Sequence, residues 1–219
     1  MNVLVTGFEP FGGEKINPSW EAVRRLPGCI AGAQISKAQL PVAFGLDRDC
    51  LQNVIEAESP DIVICVGQAG GRVGITPELV GVNYLDASRP DNRGAQPRAA
   101  RITPHGPDAH FTTLPVHAMV HACDEAGIPA RVSYSAGTYC CNEVLYGLLE
   151  YLEHANSGIK GGFVHVPYLP GQAEKRGEGV PSMPLQTIVK GLELMVEAAV
   201  SHMDEGPFGS NPSTSGAIC

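Results

Sequence analysis

Short apolar runs alternate along this chain with stretches whose apolar residues recur every three or four positions. Asn2 to Thr6 (NVLVT) is such a run, Ser19 to Leu26 has helical spacing, and Ala33 to Val42 alternates as a strand does. Leu46 to Glu58 is helical again. Residues 61–67 (DIVICVG) and 162–166 (GFVHV) are continuous enough for strands buried on both faces of a parallel sheet. Between them lie a polar, Gly/Pro-rich connection from Ser88 to Asp108, a helix near Pro115 to Ala126, and a strand near Ala130 to Ser135. A cysteine-bearing helix follows from about Tyr139 to Asn156, and a last helix runs from about Pro184 to Met203. The order predicts a single-domain three-layer α/β/α sandwich around a mostly parallel, twisted sheet. Residues 206–219 are small, polar and turn-rich, and read as a flexible tail after a domain spanning 1–205.

Composition narrows the partners. With 15 basic and 23 acidic residues the formal net charge is -8, which argues against nonspecific nucleic-acid or anionic-membrane binding. The first residues, MNVLVTGFEPFGG, lack a basic region and a long apolar one, and read as a strand and not as a signal peptide. No apolar run reaches membrane-spanning length. The seven cysteines (Cys29, Cys50, Cys65, Cys123, Cys140, Cys141 and Cys219) are odd in number and lack paired metal spacing, so reduced thiols in a cytoplasmic protein are expected.

Three motifs suggest chemistry and carry little of it. GFEPFGGEK (7–15) resembles a phosphate loop, but Lys15 is displaced from the glycine it should follow and Ile16 stands where a metal-binding hydroxyl belongs. GQAGGRVG (67–74) lacks GxG, and the following ITPELVGVNYL alternates like a strand where a dinucleotide fold needs a helix. His117 and His121 share a helix face, but without the glutamate of a metalloprotease pattern they read as a solvated or core-edge pair. No metal and no cofactor is expected.

The cysteine helix says more. Val144, Leu145, Leu148, Leu149 and Leu152 recur at helical spacing, which leaves Cys140 and Cys141 in the first turn. There the unpaired backbone N–H groups and the positive dipole end favour an anion, pushing a thiol toward thiolate and offering donors to an oxyanion. Periodicity does not choose between the two cysteines. A nucleophilic thiol needs a base, and His165, ending an apolar strand just before the turn VPYLP, is best placed among seven histidines. For an acid to orient that base, Glu9, Glu78, Asp86 and Asp91 all lie in connections or at element edges. Spacing picks none of them.

Taken together, LVTGFEPFGG, INPSWEAV, VGQAGGR, ITPE, PDNRGAQP, SAGTYCCN, GFVHVPYLP and PSMPLQTIVKGLE occur in the order of the pyroglutamyl-peptidase I family, which the chain resembles to about Val200. The resemblance implies a cysteine peptidase that removes N-terminal pyroglutamate from peptides through a thioester. It assigns the nucleophile to Cys141, before Asn142, the base to His165, and the third member to Glu78 of ITPE. It also implies that Phe8 and Phe11 sandwich the lactam, that Tyr139 and Cys140 form its apolar wall, and that Gln68 belongs to the segment meeting the lactam amide. A dimer or tetramer, up to a homotetramer, is implied as well. One departure stands out. Where the family commonly reads DARIPDN this chain reads DASRPDN, so Ser88 replaces an arginine near the oxyanion and Arg89 follows one place later. Other readings are a nucleoside-phosphorylase-like enzyme and a noncatalytic pyroglutamate-binding module.

Overall fold

The computed structural model describes residues 1–155 and 158–208. In chain order the elements are β1 (Asn2–Phe8), α1 (Pro18–Val23), β2 (Cys29–Ile30), β3 (Ala33–Leu40), α2 (Leu46–Glu58), β4 (Ile62–Gln68), β5 (Thr76–Pro77) and β6 (Val80–Val82). They continue with β7 (Ala109–Phe111), α3 (Val116–Glu125), α4 (Cys140–Ala155), β8 (Lys160–Val166), α5 (Pro170–Ala173) and α6 (Leu185–Ser201). Six strands form one sheet in the order β2-β3-β1-β4-β8-β5, while β6 and β7 pair separately. The interior pairs β3–β1, β1–β4 and β4–β8 are parallel, and the flanking β2 and β5 are antiparallel. The expected mostly parallel α/β sheet is therefore observed.

Strand periodicity explains the layers. Successive side chains of a strand point to opposite faces. Val3, Val5, Ile62, Ile64, Val66, Val164 and Val166 pack on one face against apolar residues of α1, α3 and α6. Leu4, Val63, Cys65 and Phe163 pack on the other, against α2 and α4. His165 lies two places beyond Phe163 and belongs to the α2/α4 face, where the cysteine helix sits. Counting parity along β8 thus brings histidine and cysteine to one side of the sheet.

Several predicted boundaries move for local reasons. The helix expected over Ser19 to Leu26 ends at Val23, because Pro27 follows and the last N–H groups close tighter turns, Arg25 to Ala22 and Leu26 to Val23. Asn17 caps that helix, its side chain accepting from Ser19 N–H at 3.1 Å. The strand expected near Ala130 to Ser135 makes only the isolated bridges Ile75–Ala130 and Glu78–Ser133. Its partner is interrupted by Pro77, which has no N–H to extend a ladder. The alternating stretch ITPELVGVNYL breaks into β5 and β6, and Glu78 stands at the break. Of the predicted tail, residues 206–208 are described, with Pro207 buried and Phe208 meeting Phe111 edge to face at 5.3 Å; residues 209–219 and Asn156 lie outside the described residues.

Candidate active site

The loops after β1, β4 and β8 open at the carboxyl ends of the parallel strands, where open α/β sheets bind ligands. Together with residues 88–89, residues 135–139 and Cys141 they enclose a cleft of about 410 Å³. Cys141 and His165 both line it. Cys141 reaches the cleft because α4 begins there: Tyr139 accepts the first helical N–H groups, from Asn142 at 3.0 Å and Glu143 at 3.1 Å, so Cys141 occupies the first turn. The neighbouring Asn142 is fully buried and moors the helix to β6, accepting from Val82 N–H and donating to the carbonyls of Val82 and Tyr84. Its side-chain role was not legible beforehand, although its place after the cysteine was part of the resemblance.

Gly67 makes room for the thiol. It pairs with His165 in the β4–β8 ladder, and a Cβ there would lie 2.9 Å from Cys141 Sγ and 2.7 Å from the Phe163 ring. Gly67 of GQAGG therefore serves a close approach of sulfur to strand. Gly7 plays a similar part at the start of GFEPFGG, where a Cβ would meet the Trp20 backbone at 2.7 Å; its absence lets α1 abut β1 and aims the next loop at the cleft.

Of the four acids that spacing left open, Glu78 is the one that meets His165. His165 Nδ1 and Glu78 Oε1 are 2.6 Å apart, and Glu78 is fully buried with its backbone N–H held by the Phe163 carbonyl at 2.8 Å. Since an ionised carboxylate only accepts, Nδ1 carries the ring proton and Nε2 remains an acceptor. The three rival acids are engaged elsewhere. Glu9 accepts from Val42 N–H and Asn92, Asp91 accepts from the N–H groups of Phe44, Arg93 and Ala95, and Asp86 lies 3.4 Å from Arg98.

Arg72 is the charged member that sequence reasoning missed. Its guanidinium contacts Glu78 Oε1 at 2.5 Å, donates to Thr76, and reaches the Ser135 carbonyl at 2.9 Å. A lone arginine in a glycine-rich turn has no distinguishing spacing; only folding brings it to Glu78.

Burial dominates the electrostatics here. It would raise the Glu78 carboxyl, but His165 and Arg72 outweigh it and hold the group below its usual range. Burial lowers His165 more than Glu78 raises it. The Cys141 thiol is pushed up to about 12, first by burial and then by the carboxyl groups of Asp47 and Glu78, against the opposing pull of Arg72 and its own backbone N–H. Burial thus works against the pull of the helix end toward a thiolate. The resting pair is a thiol beside a neutral imidazole.

The remaining sequence-derived residues separate into two groups. Phe11, Gln68, Tyr139 and Arg89 line the cleft. Phe11 and Tyr139 have ring centroids 6.4 Å apart, and the Tyr139 hydroxyl donates to the Pro90 carbonyl at 3.1 Å. Gln68 is oriented by Gln172, whose amide donates to its side-chain oxygen at 3.1 Å. Phe8 and Cys140 do not line the cleft. They are 2% and 1% exposed and lie in the core beneath the cleft, because the alternation of β1 and the turn of α4 direct them inward. Arg89 also lines the cleft, with Nη1 3.1 Å from where a Gly12 Cβ would stand, so its side chain crosses toward the β1–α1 loop.

A thiol at a helix start, opposite a histidine paired to a buried carboxylate, is the arrangement of a cysteine-type hydrolase. A family model described as pyroglutamyl peptidase matches residues 1–202. A pyrrolidone-carboxylate peptidase of Clostridium botulinum is 50% identical over 202 residues, 92% of this chain and 94% of the relative. One of Escherichia fergusonii is 52% identical over 199 residues, covering 90% and 92%. The crystal structure of Bacillus amyloliquefaciens pyroglutamyl peptidase I superposes with a TM-score of 0.90 at 45% identity, covering 93% of this chain and 98% of that one. A mutant pyrrolidone carboxyl peptidase of Pyrococcus furiosus gives 0.89 at 40%, covering 93% and 100%. The chain belongs to the pyroglutamyl peptidase family, cysteine peptidases that remove N-terminal pyroglutamate; neither the phosphorylase-like nor the noncatalytic reading gains support.

Proposed function

We propose that Cys141 is the nucleophile, His165 its base and Glu78 the group that orients the base. The observation that carries this is the 2.6 Å contact of Glu78 with His165 in a cleft shared with Cys141. Because thiol and imidazole rest neutral, His165 Nε2 takes the thiol proton as sulfur attacks the pyroglutamyl carbonyl, forming a C–S bond and an oxyanion. The oxyanion collapses, the C–N bond breaks, and the imidazolium returns the proton to the leaving amine. Water, deprotonated by the same His165, then cleaves the thioester to pyroglutamate and free thiol. Glu78 stabilises each imidazolium, and Arg72 keeps Glu78 ionised. The Cys141 N–H and the Arg89 guanidinium stabilise the oxyanion, with Arg89 taking the part that Ser88 lacks the charge for. Phe11 and Tyr139 flank the lactam, and the Gln68 segment hydrogen-bonds its amide.

The catalytic unit spans residues 1–205. Six free thiols among the described residues support a reducing, cytoplasmic setting, and the family likeness supports a dimer or tetramer, with a homotetramer the larger form. No described helix is long and apolar enough to cross a membrane.

Hydrolysis of a pyroglutamyl fluorogenic amide tests the assignment. Cys141→Ser and prior iodoacetamide should each abolish turnover, while Cys140→Ala keeps most of it; activity in Cys141→Ser with loss in Cys140→Ala would overturn the choice of nucleophile.

A further inference from the structure

Directly behind the thiol, the first turns of α2 and α4 meet through two buried carboxyl groups that the reaction does not use. Asp47 is fully buried and Glu143 is 4% exposed. Asp47 Oδ1 accepts the Arg48 N–H at 2.7 Å, but its Oδ2 is buried with no donor among the described residues. Glu143 is better provided: Oε2 accepts the Gly45 N–H at 3.1 Å and Oε1 lies 3.7 Å from Arg48 Nε. Glu143 therefore lies against the same turn of α2 that carries Asp47, and the Cys140 thiol faces Asp47 beside it. A buried acceptor without a donor is costly, and two neighbouring carboxylates cannot both stay ionised away from water. One proton between them removes both difficulties.

We propose that Asp47 is a neutral carboxylic acid in the native protein, its Oδ2–H donating to the Glu143 carboxylate, and that this bond joins the starts of α2 and α4 and so positions Cys141. The proton belongs on Asp47 because Glu143 alone has a backbone donor and a nearby guanidinium to stabilise its charge. Electrostatics agrees in direction: burial and then the Glu143 charge raise Asp47 well above its ordinary value, and burial raises Glu143. The other titratable groups facing the pair are Cys140 and Cys141 from α4, Arg48, Asp49 and Cys50 from α2, and Cys65 from β4. None of the thiols is ionised at neutral pH in this setting, and Arg48 is already turned to Glu143. The single negative charge left on the pair helps keep the Cys141 thiol protonated until His165 removes the proton, so Asp47 and Glu143 are positioning residues and not catalytic ones.

Four readouts on the full chain test this, and only the last rests on Cys141 being the reacting thiol. Infrared spectra at neutral pH should show a protonated carboxyl band in the parent that disappears in Asp47→Asn; an unchanged spectrum overturns the proposal. Native Asp47 resists ionising whereas unfolded Asp47 does not, so the native state binds more protons and the parent loses stability as pH rises above the ordinary carboxylate range. The melting temperature of Asp47→Asn should therefore gain on the parent from acid to neutral pH, and a gap that shrinks with pH overturns it. Asp47→Asn should also restore the turnover and folding that Asp47→Ala loses, since the amide is a neutral donor; failure of Asp47→Asn to fold counts against the proposal. Lastly, Asp47→Asn/Glu143→Gln removes the charge, and its iodoacetamide reactivity profile should move to lower pH by about one unit, the effect of one nearby charge at an effective dielectric of about 20. Asp47→Asn alone keeps the charge and should leave that profile in place. A shift in the single variant, or none in the double one, overturns the electrostatic part whatever the peptidase activity.

Discussion

The two faces of the central sheet are built from the same strands and differ in nearly everything else. The face under α1, α3 and α6 is closed by aliphatic side chains, Met119, Met195 and Cys123. The face under α2 and α4 is interrupted by Thr6, Asp47, Glu143 and His165, all buried, and ends in a cleft. The cysteines make the contrast sharp. Burial pushes both Cys123 and Cys141 up to about 12. Cys123 spends its thiol on the Gly191 carbonyl inside a helix pair, whereas Cys141 borders solvent and a histidine. A perturbed thiol alone marks neither function nor structure; access and a proton acceptor make the difference.

The comparison breaks most readily at the base. His165→Ala should lower kcat/KM for a pyroglutamyl amide by roughly a thousandfold or more, as loss of a positioned proton acceptor does. Glu78→Gln should cost less and change the pH profile. As the proposed base, His165 must be neutral to act, and burial lowers its titration, so activity should be lost only as pH falls through a value below the ordinary histidine range. Removing the Glu78 charge takes away the influence that raises His165, which moves this acid limb to still lower pH. A limb that moves upward, or does not move, would show that the two side chains are uncoupled.

Gly67→Ala should reduce turnover by about a hundredfold with a smaller loss of stability, because its methyl meets Cys141 Sγ and Phe163 together and a displaced thiol loses its attack geometry. Wild-type rates in that variant would mean that strand and helix separate easily. Arg89→Ala should lower kcat about tenfold with little change in melting temperature, and Ser88→Arg in that background should recover part of it. Normal turnover in Arg89→Ala would leave the oxyanion to backbone donors alone.

At the other face the expected effect on rate is the smallest. Leu192→Ala, fully inside the α6 packing at 1% exposure, should destabilise the protein by about 2–5 kcal/mol in denaturant titrations while leaving kcat/KM unchanged below the unfolding transition. A catalytic defect there would blur the division between the two faces.

Periodicity along single elements determined a good deal. The apolar runs at 61–67 and 162–166 became β4 and β8, Leu46 to Glu58 is α2 as read, and helical spacing after Asn142 put both cysteines in the first turn of α4. These features are local: a strand buried on two faces, or a helix buried on one, must repeat its own pattern whatever surrounds it. The order of sequence motifs carried the family, and with it the proposed nucleophile, base and acid. Tertiary structure added that Cys141 reaches the cleft, that Glu78 among four acids touches His165, that Arg72 stands behind it, and that Phe8 and Cys140 face inward. Asp47 and Glu143 gave no sign in the sequence, as exposed first-turn acids are ordinary on helices. Their burial depends on two helix ends separated by about ninety residues meeting over one sheet, and no local pattern encodes how far a charged side chain is taken from water.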